Sequence, residues 1–234
     1  MAAYSEFAGH EEGRVKFHRG APFIAISVAW LDSLSGHGLP LLFAEWFLVF
    51  AIESLRHRSR WFHVKLLSFF WRRMWFGRKI VKAMRPEERN SRTREWSSVL
   101  PAGTGLGFWY VMLTLGHFTW WALLIVACQL AFVDPAAKVA GVLAAKEDRR
   151  RPLPRWLIAI GANPKKSLNG FLAGWWTGLM FALPIAYVGK LSLLAATASS
   201  LAAAVAELFG KSGTILGDDN FRIPISAGVP FFLP

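Results

Sequence analysis

The sequence of 234 residues contains one cysteine, Cys128, which lies inside an apolar run. A single thiol cannot form an intramolecular disulfide, so a secreted domain stapled by disulfides is excluded. Charged residues are also scarce, at 18%, whereas 54% of the residues are hydrophobic, which is not the composition of a water-soluble globule. Residues 1–20 are polar and charged and lack an apolar core, so no cleavable signal peptide is expected. The composition predicts an integral membrane protein.

Acidic residues are few, because 15 Asp and Glu stand against 27 Lys and Arg, for a formal net charge of +12. The cations come in blocks, with 13 between Arg56 and Arg94 and eight between Lys138 and Lys166. Basic segments beside apolar ones indicate cytoplasmic loops that face anionic lipid headgroups. Since the basic blocks alternate with apolar runs of membrane length, nucleic-acid binding is disfavoured as an explanation of the charge.

Apolar stretches separate these blocks, and several approach the roughly 20 helical residues needed to cross a bilayer. They cover residues 21–33, 38–55, 98–133, 168–188, 191–209 and 223–234. The third is too long for one crossing, and we expect two short helices broken near Gly116 and His117, because basic segments flank it on both sides. The sequence therefore predicts an all-α fold, a polytopic transmembrane helical bundle with short cytoplasmic and interfacial helices.

Residues 1–97 form the first of two predicted domains, a hydrophobic hairpin followed by a basic interfacial segment. Within it, residues 61–76 mix Trp and Phe with Lys65, Arg72 and Arg73. This mixture favours a helix lying in the headgroup layer, and a basic linker is the alternative.

Residues 98–234 form the second predicted domain, which is embedded in the membrane. Its apolar stretches are expected to leave and re-enter the cytoplasmic face as two hairpins. Asp134, Lys165, Lys166 and the loop 210–222 would then meet on that face, as expected of a site that joins a cytosolic charged reactant to a lipid.

Asp134 follows a long apolar run and precedes Pro135. One interpretation is a helix N-cap with proline at the first helical position. The other is a functional group, because a carboxylate at the membrane boundary is costly unless it faces a cavity or a metal. The two interpretations are compatible.

The segment Lys165-Lys166-Ser167, with Asn163 and Asn169 beside it, precedes a long apolar run. Two ammonium groups and the donors at a helix start suit the binding of phosphate oxygens. Two lysines that snorkel at the end of a transmembrane helix are the alternative.

Adjacent carboxylates in Gly217-Asp218-Asp219-Asn220 repel each other unless a cation lies between them. Mg²⁺, a hard ion that prefers oxygen ligands and also binds substrate phosphates, fits this set. A simple turn is the alternative. Glu207, ten residues before Gly217, either adds another acid at the same face or is a surface charge at a helix end.

The C-terminal half resembles the membrane-bound family of CTP-dependent lipid-alcohol kinases, which includes dolichol and polyprenol kinases, phytol and farnesol kinases and the yeast-type diacylglycerol kinase. Three ordered segments carry the resemblance, which covers about residues 100–234. They are Asp134-Pro135-Ala136-Ala137 with Gly141, then Lys165-Lys166-Ser167-Leu168-Asn169-Gly170, and finally Glu207 with Asp219-Asn220-Phe221-Arg222-Ile223-Pro224. Val133 stands where the family usually has glycine, and Asn169 where it has glutamate. A weaker likeness covers residues 56–99, including Ser59-Arg60-Trp61-Phe62-His63.

The resemblance implies transfer of the terminal phosphoryl group of CTP, or of another nucleoside triphosphate, to a lipid alcohol with Mg²⁺ as cofactor. It makes Asp134, Asp219 and Lys166 the catalytic candidates. The remaining roles follow from the same resemblance. Asp134, Asp218 and Asp219 would hold the metal; Lys165, Lys166, Ser167, Asn220 and Arg222 would bind the nucleotide phosphates; Glu207, Asn169 and His63 would support the site.

The sequence leaves two other functions open. A phosphatidate cytidylyltransferase has similar motifs but releases pyrophosphate rather than CDP, and the Asp-Asn-x-x-x-Pro ending favours the kinase. A non-catalytic membrane subunit, whose basic loops hold a partner or anionic lipid, needs none of the acids.

Overall fold

The structure, a computed structural model, describes residues 26–27, 30–31, 33–34, 37–73, 99–147, 149–210 and 216–232. These residues form helices and no strand, so the prediction of an all-α fold is confirmed for them. The helices are α1 (Gly38–Arg58), α2 (Arg60–Arg73), α3 (Val99–Thr114), α4 (Trp120–Lys146), α5 (Arg155–Ala159), α6 (Leu168–Val188), α7 (Leu193–Phe209) and α8 (Asp219–Phe232).

The turn between α3 and α4 confirms the predicted break in the long apolar stretch. Gly116 adopts a φ of 79°, which a residue with a side chain rarely adopts, and it interrupts the helix. Thr119 then starts α4, because its side chain accepts a hydrogen bond from the Ala122 amide at 3.1 Å.

The N-cap interpretation of Asp134 is wrong, because α4 continues through Pro135 as far as Lys146. Proline removes one backbone hydrogen bond from a helix interior, at a cost of about 3 kcal/mol. The surrounding turns compensate, since Leu130, Ala131, Val133 and Ala137 are all buried in the core. Asp134 therefore lies at a buried position within a continuous helix.

Helix α6 packs against α4 through small residues that recur every four positions. They are Gly170, Gly174, Gly178, Ala182 and Ala186. A Cβ atom added at Gly170 would lie 2.7 Å from the Ala137 carbonyl oxygen, and one at Gly174 would lie 3.2 Å from a Val133 methyl group. The two backbones are thus in close contact.

Helix α7 follows α6 after a short turn and begins at the N-cap Ser192, so the predicted pair of helices over 168–209 is confirmed. Gln129 on α4 ties the three helices together. Its side-chain amide donates to the Ser200 hydroxyl on α7 at 2.9 Å and to the Gly178 carbonyl on α6 at 3.2 Å.

Helix α8 completes the core by packing against α3. The indole of Trp109 donates to the Pro224 carbonyl at 2.8 Å, and Gly228 leaves room for the same ring. Helix α1 contacts α3 through a hydrogen bond of 2.9 Å from the Trp46 indole to the Thr104 hydroxyl. The Trp109 contacts hold the middle of α8 against α3, and the acidic pair lies at the start of α8.

A helix forms over Arg60–Arg73, as predicted for the basic aromatic segment, and residues 74–76 lie outside the described part of the chain. Trp61 is 70% exposed, and the Lys65 ammonium lies 5.8 Å from the centre of its ring. Exposed aromatic and basic side chains together suit the headgroup layer, which stays a prediction, as does the domain boundary at residue 97.

Two of the described helices are long and apolar enough to cross a bilayer, by length and composition, and they cover Trp120–Ala145 and Leu168–Val188. The first is mostly buried within the protein, whereas the second is mostly exposed. The sequence predicts more crossings than these, so the number of crossings stays a prediction.

Candidate functional site

Three acidic side chains from three helices meet inside the protein. Asp134 lies in the middle of α4, Glu207 near the end of α7 and Asp219 at the start of α8. One carboxylate oxygen of each lies within 4.8 Å of the other two, and all three residues are buried. We call this group the acidic triad. The sequence predicted Asp134 and Asp219 as metal ligands and Glu207 only as a supporting residue.

Lys166 joins the acidic triad from the loop before α6. Its ammonium group donates to the Glu207 carboxylate and, at 3.1 Å, to the Asp219 carboxylate. Burial alone disfavours a charged amine, but the carboxylates of Asp219, Glu207 and Asp134 outweigh it and hold the pKa of Lys166 above its ordinary value. Lys166 therefore carries a full positive charge at neutral pH.

A second lysine neutralises Asp134 from within its own helix. Lys138, one turn further along α4, places its ammonium 2.5 Å from the Asp134 carboxylate. Lys138 and Lys166 thus each contact carboxylates of the triad. The sequence reasoning missed Lys138, although the spacing of four residues on a helix signals such a pair.

The loop that carries Lys166 is tied to the end of α7 by Asn163. The Asn163 backbone amide donates to the Leu208 carbonyl at 2.8 Å, and the Asn163 side-chain amide donates to the Gly210 carbonyl at 3.2 Å. The Asn163 carbonyl accepts from the Lys166 amide at 3.0 Å. Asn163 thus links the lysine to the helix that carries Glu207, and no local sequence pattern indicates this.

Gly210 ends α7 directly beside the Asp219 carboxylate. A Cβ atom added at Gly210 would overlap that carboxylate, although the backbone angles of Gly210 are ordinary. The lack of a side chain at this position therefore gives Asp219 the space it occupies.

Asp218 and Asn220 flank Asp219 at the start of α8. One Asp218 carboxylate oxygen accepts from the Asn220 amide nitrogen at 2.9 Å and from the Asn220 side chain, which makes Asp218 the cap of α8. The side-chain oxygen of Asn220 is buried and accepts no hydrogen bond from the described residues. The structure brings Asp134 and Asp219, but not Asp218, into the acidic triad.

The other predicted phosphate-binding residues surround the site in different ways. Ser167 is buried and caps α6, accepting from the Gly170 amide at 3.1 Å. Lys165 is exposed, and its carbonyl accepts from Arg150 at 2.7 Å. Asn169 accepts from the Arg151 amide at 2.8 Å. These contacts anchor the chain on both sides of Lys166.

Arg222 and His63 make contacts that their predicted roles did not anticipate. Arg222 donates to the Phe209 carbonyl at 2.9 Å and to the Leu216 carbonyl at 3.0 Å. It therefore joins the end of α7 to the start of α8. His63 is buried, and its Nδ1 lies 3.3 Å from the Arg56 guanidinium, which is paired with Glu53 at 2.8 Å. The Glu53–Arg56 pair was also missed.

The acidic triad offers oxygen ligands of the kind that Mg²⁺ prefers. Mg²⁺ binds oxygen at about 2.0–2.1 Å in an octahedron, so adjacent ligands lie about 2.9 Å apart and opposite ligands about 4 Å apart. The carboxylate oxygens of the triad lie within 4.8 Å of one another, and the Lys166 ammonium contacts two of the three carboxylates, so binding of an ion would require these side chains to move. Grouped carboxylates repel one another, and a cation beside them relieves that repulsion.

Comparisons of the chain with models of protein families, with curated proteins and with solved structures found no match.

Proposed function

We propose that the chain is an integral membrane kinase that transfers the terminal phosphoryl group of CTP, or of another nucleoside triphosphate, to the hydroxyl of a lipid alcohol. The observation that carries the proposal is the meeting of Asp134, Glu207 and Asp219 with Lys166 in one buried group. Phosphoryl transfer asks a protein mainly to position the reactants and neutralise charge, and these side chains suit that task. The motif resemblance supports the same reaction.

The exposed face of α6 supports a membrane setting. This helix buries small residues and exposes large apolar ones, including Trp176 at 66% and Tyr187 at 78%. In water such a face would be an unusually large apolar patch, whereas in lipid it is in its preferred solvent. We extend this to a polytopic bundle whose site opens to the cytoplasm, with the lipid tail in the bilayer and its hydroxyl at the surface.

Each residue of the site has a role in the proposed reaction. Asp134, Glu207 and Asp219 would hold Mg²⁺, which when bound neutralises charge on the phosphates. Lys166 and the exposed Lys165 attract the triphosphate, and the Ser167 hydroxyl, which accepts from an amide, still has its hydrogen to donate. Asp219 accepts the proton of the lipid hydroxyl while the hydroxyl oxygen attacks the terminal phosphorus and the nucleoside diphosphate leaves.

Three further residues position these groups. Asn220 offers a buried acceptor beside Asp219, and Asp218 fixes the first turn of α8. Arg222 holds the ends of α7 and α8 together through two carbonyls, so we assign it a positioning role.

Purified protein incubated with CTP, UTP or ATP and a panel of polyprenol, dolichol, phytol, farnesol and diacylglycerol tests the proposal. Label in the γ-phosphate should appear in a lipid phosphate, with CDP as the other product when CTP is used. Release of pyrophosphate with a CMP-activated lipid, from phosphatidic acid, would identify a cytidylyltransferase instead. The absence of any turnover would favour a non-catalytic membrane subunit.

Variants of the site sharpen this experiment. Asp219→Asn and Lys166→Ala should each lower lipid phosphorylation by at least about 100-fold, because charge stabilisation of the reacting groups is lost. Glu147→Gln, which alters an exposed acid at the end of α4, is the matched control and should leave the rate unchanged. Undiminished phosphorylation by both site variants would contradict the assigned residues.

Substitution on the outer face of α6 tests the membrane setting separately. Met180 is 62% exposed near the middle of this helix. Met180→Lys should impair membrane insertion by about 2.5–3.5 kcal/mol if the face meets lipid, and should have almost no effect if it meets water. Met180→Leu is the control, and membrane fractionation with protease protection is the measurement.

A further inference from the structure

The ammonium group of Lys166 already occupies the side of the acidic triad formed by Glu207 and Asp219. Its side chain is only 16% exposed, and it contacts both carboxylates. The backbone of the segment is anchored on each side, by the Asn163 carbonyl and by a bridge between Pro152 and Ser167. The protein thus supplies an internal cation at the place where a divalent ion would bind.

We infer that Lys166 is a built-in counter-cation of the acidic triad, and that a divalent metal and a triphosphate bind together because the phosphate draws this ammonium away from the carboxylates. The inference deepens the proposed function and rests on it for the identity of the phosphate ligand. The inference implies that the divalent metal binds tightly only when the triphosphate is also bound.

The charges explain why the metal alone binds weakly. A divalent ion that approaches Glu207 and Asp219 meets the Lys166 ammonium between them and is repelled by it. Displacing the ammonium without a substitute partner would leave a buried, unpaired cation, which is strongly unfavourable. A triphosphate oxygen provides that partner, so the two carboxylates become free for the metal.

Lys138 differs from Lys166 in a way that singles out Lys166. The Lys138 side chain is 28% exposed, so its ammonium can leave Asp134 and reach water along the surface of α4. Lys166 is more deeply enclosed and bridges residues of two helices, α7 and α8. Only Lys166 therefore needs an anionic ligand in order to leave the triad.

Binding of Mn²⁺ to the full chain in detergent, followed by electron paramagnetic resonance without nucleotide, tests the first half of the inference. Lys166→Met should bind Mn²⁺ at least about 10-fold more tightly than the unmodified chain, because the competing ammonium is gone. Lys165→Met, which removes an exposed lysine at the next position, is the matched control and should bind Mn²⁺ as the unmodified chain does. Equal or weaker binding by Lys166→Met would overturn the inference.

The unmodified chain tests the second half, so the result does not depend on whether Lys166→Met folds. With free Mn²⁺ held constant by a metal buffer, CTP should raise the affinity of the protein for Mn²⁺ by about 10-fold or more. By thermodynamic reciprocity, Mn²⁺ should raise the affinity for CTP by the same factor. Mn²⁺ affinity that is unchanged by CTP would overturn the inference.

The two proposals fail in distinguishable ways. Coupled binding of Mn²⁺ and CTP without any lipid phosphorylation would refute the kinase and leave the role of Lys166 intact. Lipid phosphorylation without coupled binding would support the kinase and refute the role of Lys166.

Discussion

Two groups of buried charged side chains lie in different parts of the chain and are built from different kinds of contact. On α1, Glu53 and Arg56 form an ion pair between residues three apart on one helix, and His63 joins them from α2. In the acidic triad, carboxylates from three helices are contacted by Lys138 and Lys166. An ion pair between neighbouring residues stabilises local structure, whereas several buried acids assembled from distant residues indicate a candidate site for a cation.

Breaking the Glu53–Arg56 pair should have the largest effect, and that effect should be on folding. Arg56→Met removes a buried guanidinium and leaves the Glu53 carboxylate buried among fewer partners. We expect the free energy of unfolding to fall by about 3–5 kcal/mol, which denaturant titration in detergent would measure. Arg72→Met, which removes an exposed arginine in the last turn of α2, is the control and should be nearly neutral. Equal stability of Arg56→Met and Arg72→Met would show that the buried pair does not stabilise the fold.

Removing one acid of the triad should act on activity instead. Glu207→Gln keeps the size of the side chain but lowers the number of carboxylates around the proposed metal. We expect lipid phosphorylation to fall about 10²–10³-fold, with the protein still folded, because a buried acid is replaced by a neutral group of the same shape. Initial rates at saturating CTP, beside a melting curve, are the measurement. If Glu207→Gln unfolds while its folded fraction keeps full specific activity, the prediction is contradicted.

A methyl group at Gly210 should disturb the triad without removing any charge. Gly210→Ala forces the Asp219 carboxylate to move, so we expect Mn²⁺ binding and phosphorylation to weaken by about 10–100-fold. Gly103→Ala is the control, because no atom lies within 4 Å of its added Cβ and alanine favours its helix. Normal rates in Gly210→Ala would mean that the position of Asp219 does not matter.

The smallest effect should come from Lys138→Met. Its ammonium is partly exposed, and the proposed metal would replace its charge beside the buried Asp134 carboxylate, so rates should change by no more than about fivefold. The same substitution at Lys166 should be far more damaging. Similar losses for the two lysines would remove the distinction between the exposed and the enclosed cation.

The helices were largely predictable, because each depends on local composition. The apolar runs and the break at Gly116 both follow from neighbouring residues. The continuation of α4 through Pro135 was not predictable, because the packing that offsets the missing hydrogen bond comes from other helices. Local rules for proline therefore gave the wrong start for a helix at Asp134.

Residues of the candidate site could be singled out from the sequence, but their arrangement could not. Asp134, Lys166 and Asp219 stood out because of their residue types beside apolar runs. Their separations, the entry of Glu207 into the triad and the roles of Asn163 and Gly210 depend on contacts between distant segments. The capping by Asp218 and the carbonyl contacts of Arg222 likewise appear only once α7 and α8 are side by side.

The glycines on α6 act as a spacer between two charged parts of the site. Because Gly170 and Gly174 let α6 lie against the backbone of α4, the cap residue Ser167 is brought within 3.2 Å of the Cβ position at Gly141, on the helix that carries Asp134. Glycine has a hydrogen atom where other residues have a side chain, so the two helices lie close together. Their spacing sets the distance between the lysine loop and the Asp134 carboxylate. Bulkier residues at this contact would therefore move the lysine loop away from Asp134 without changing any charged group.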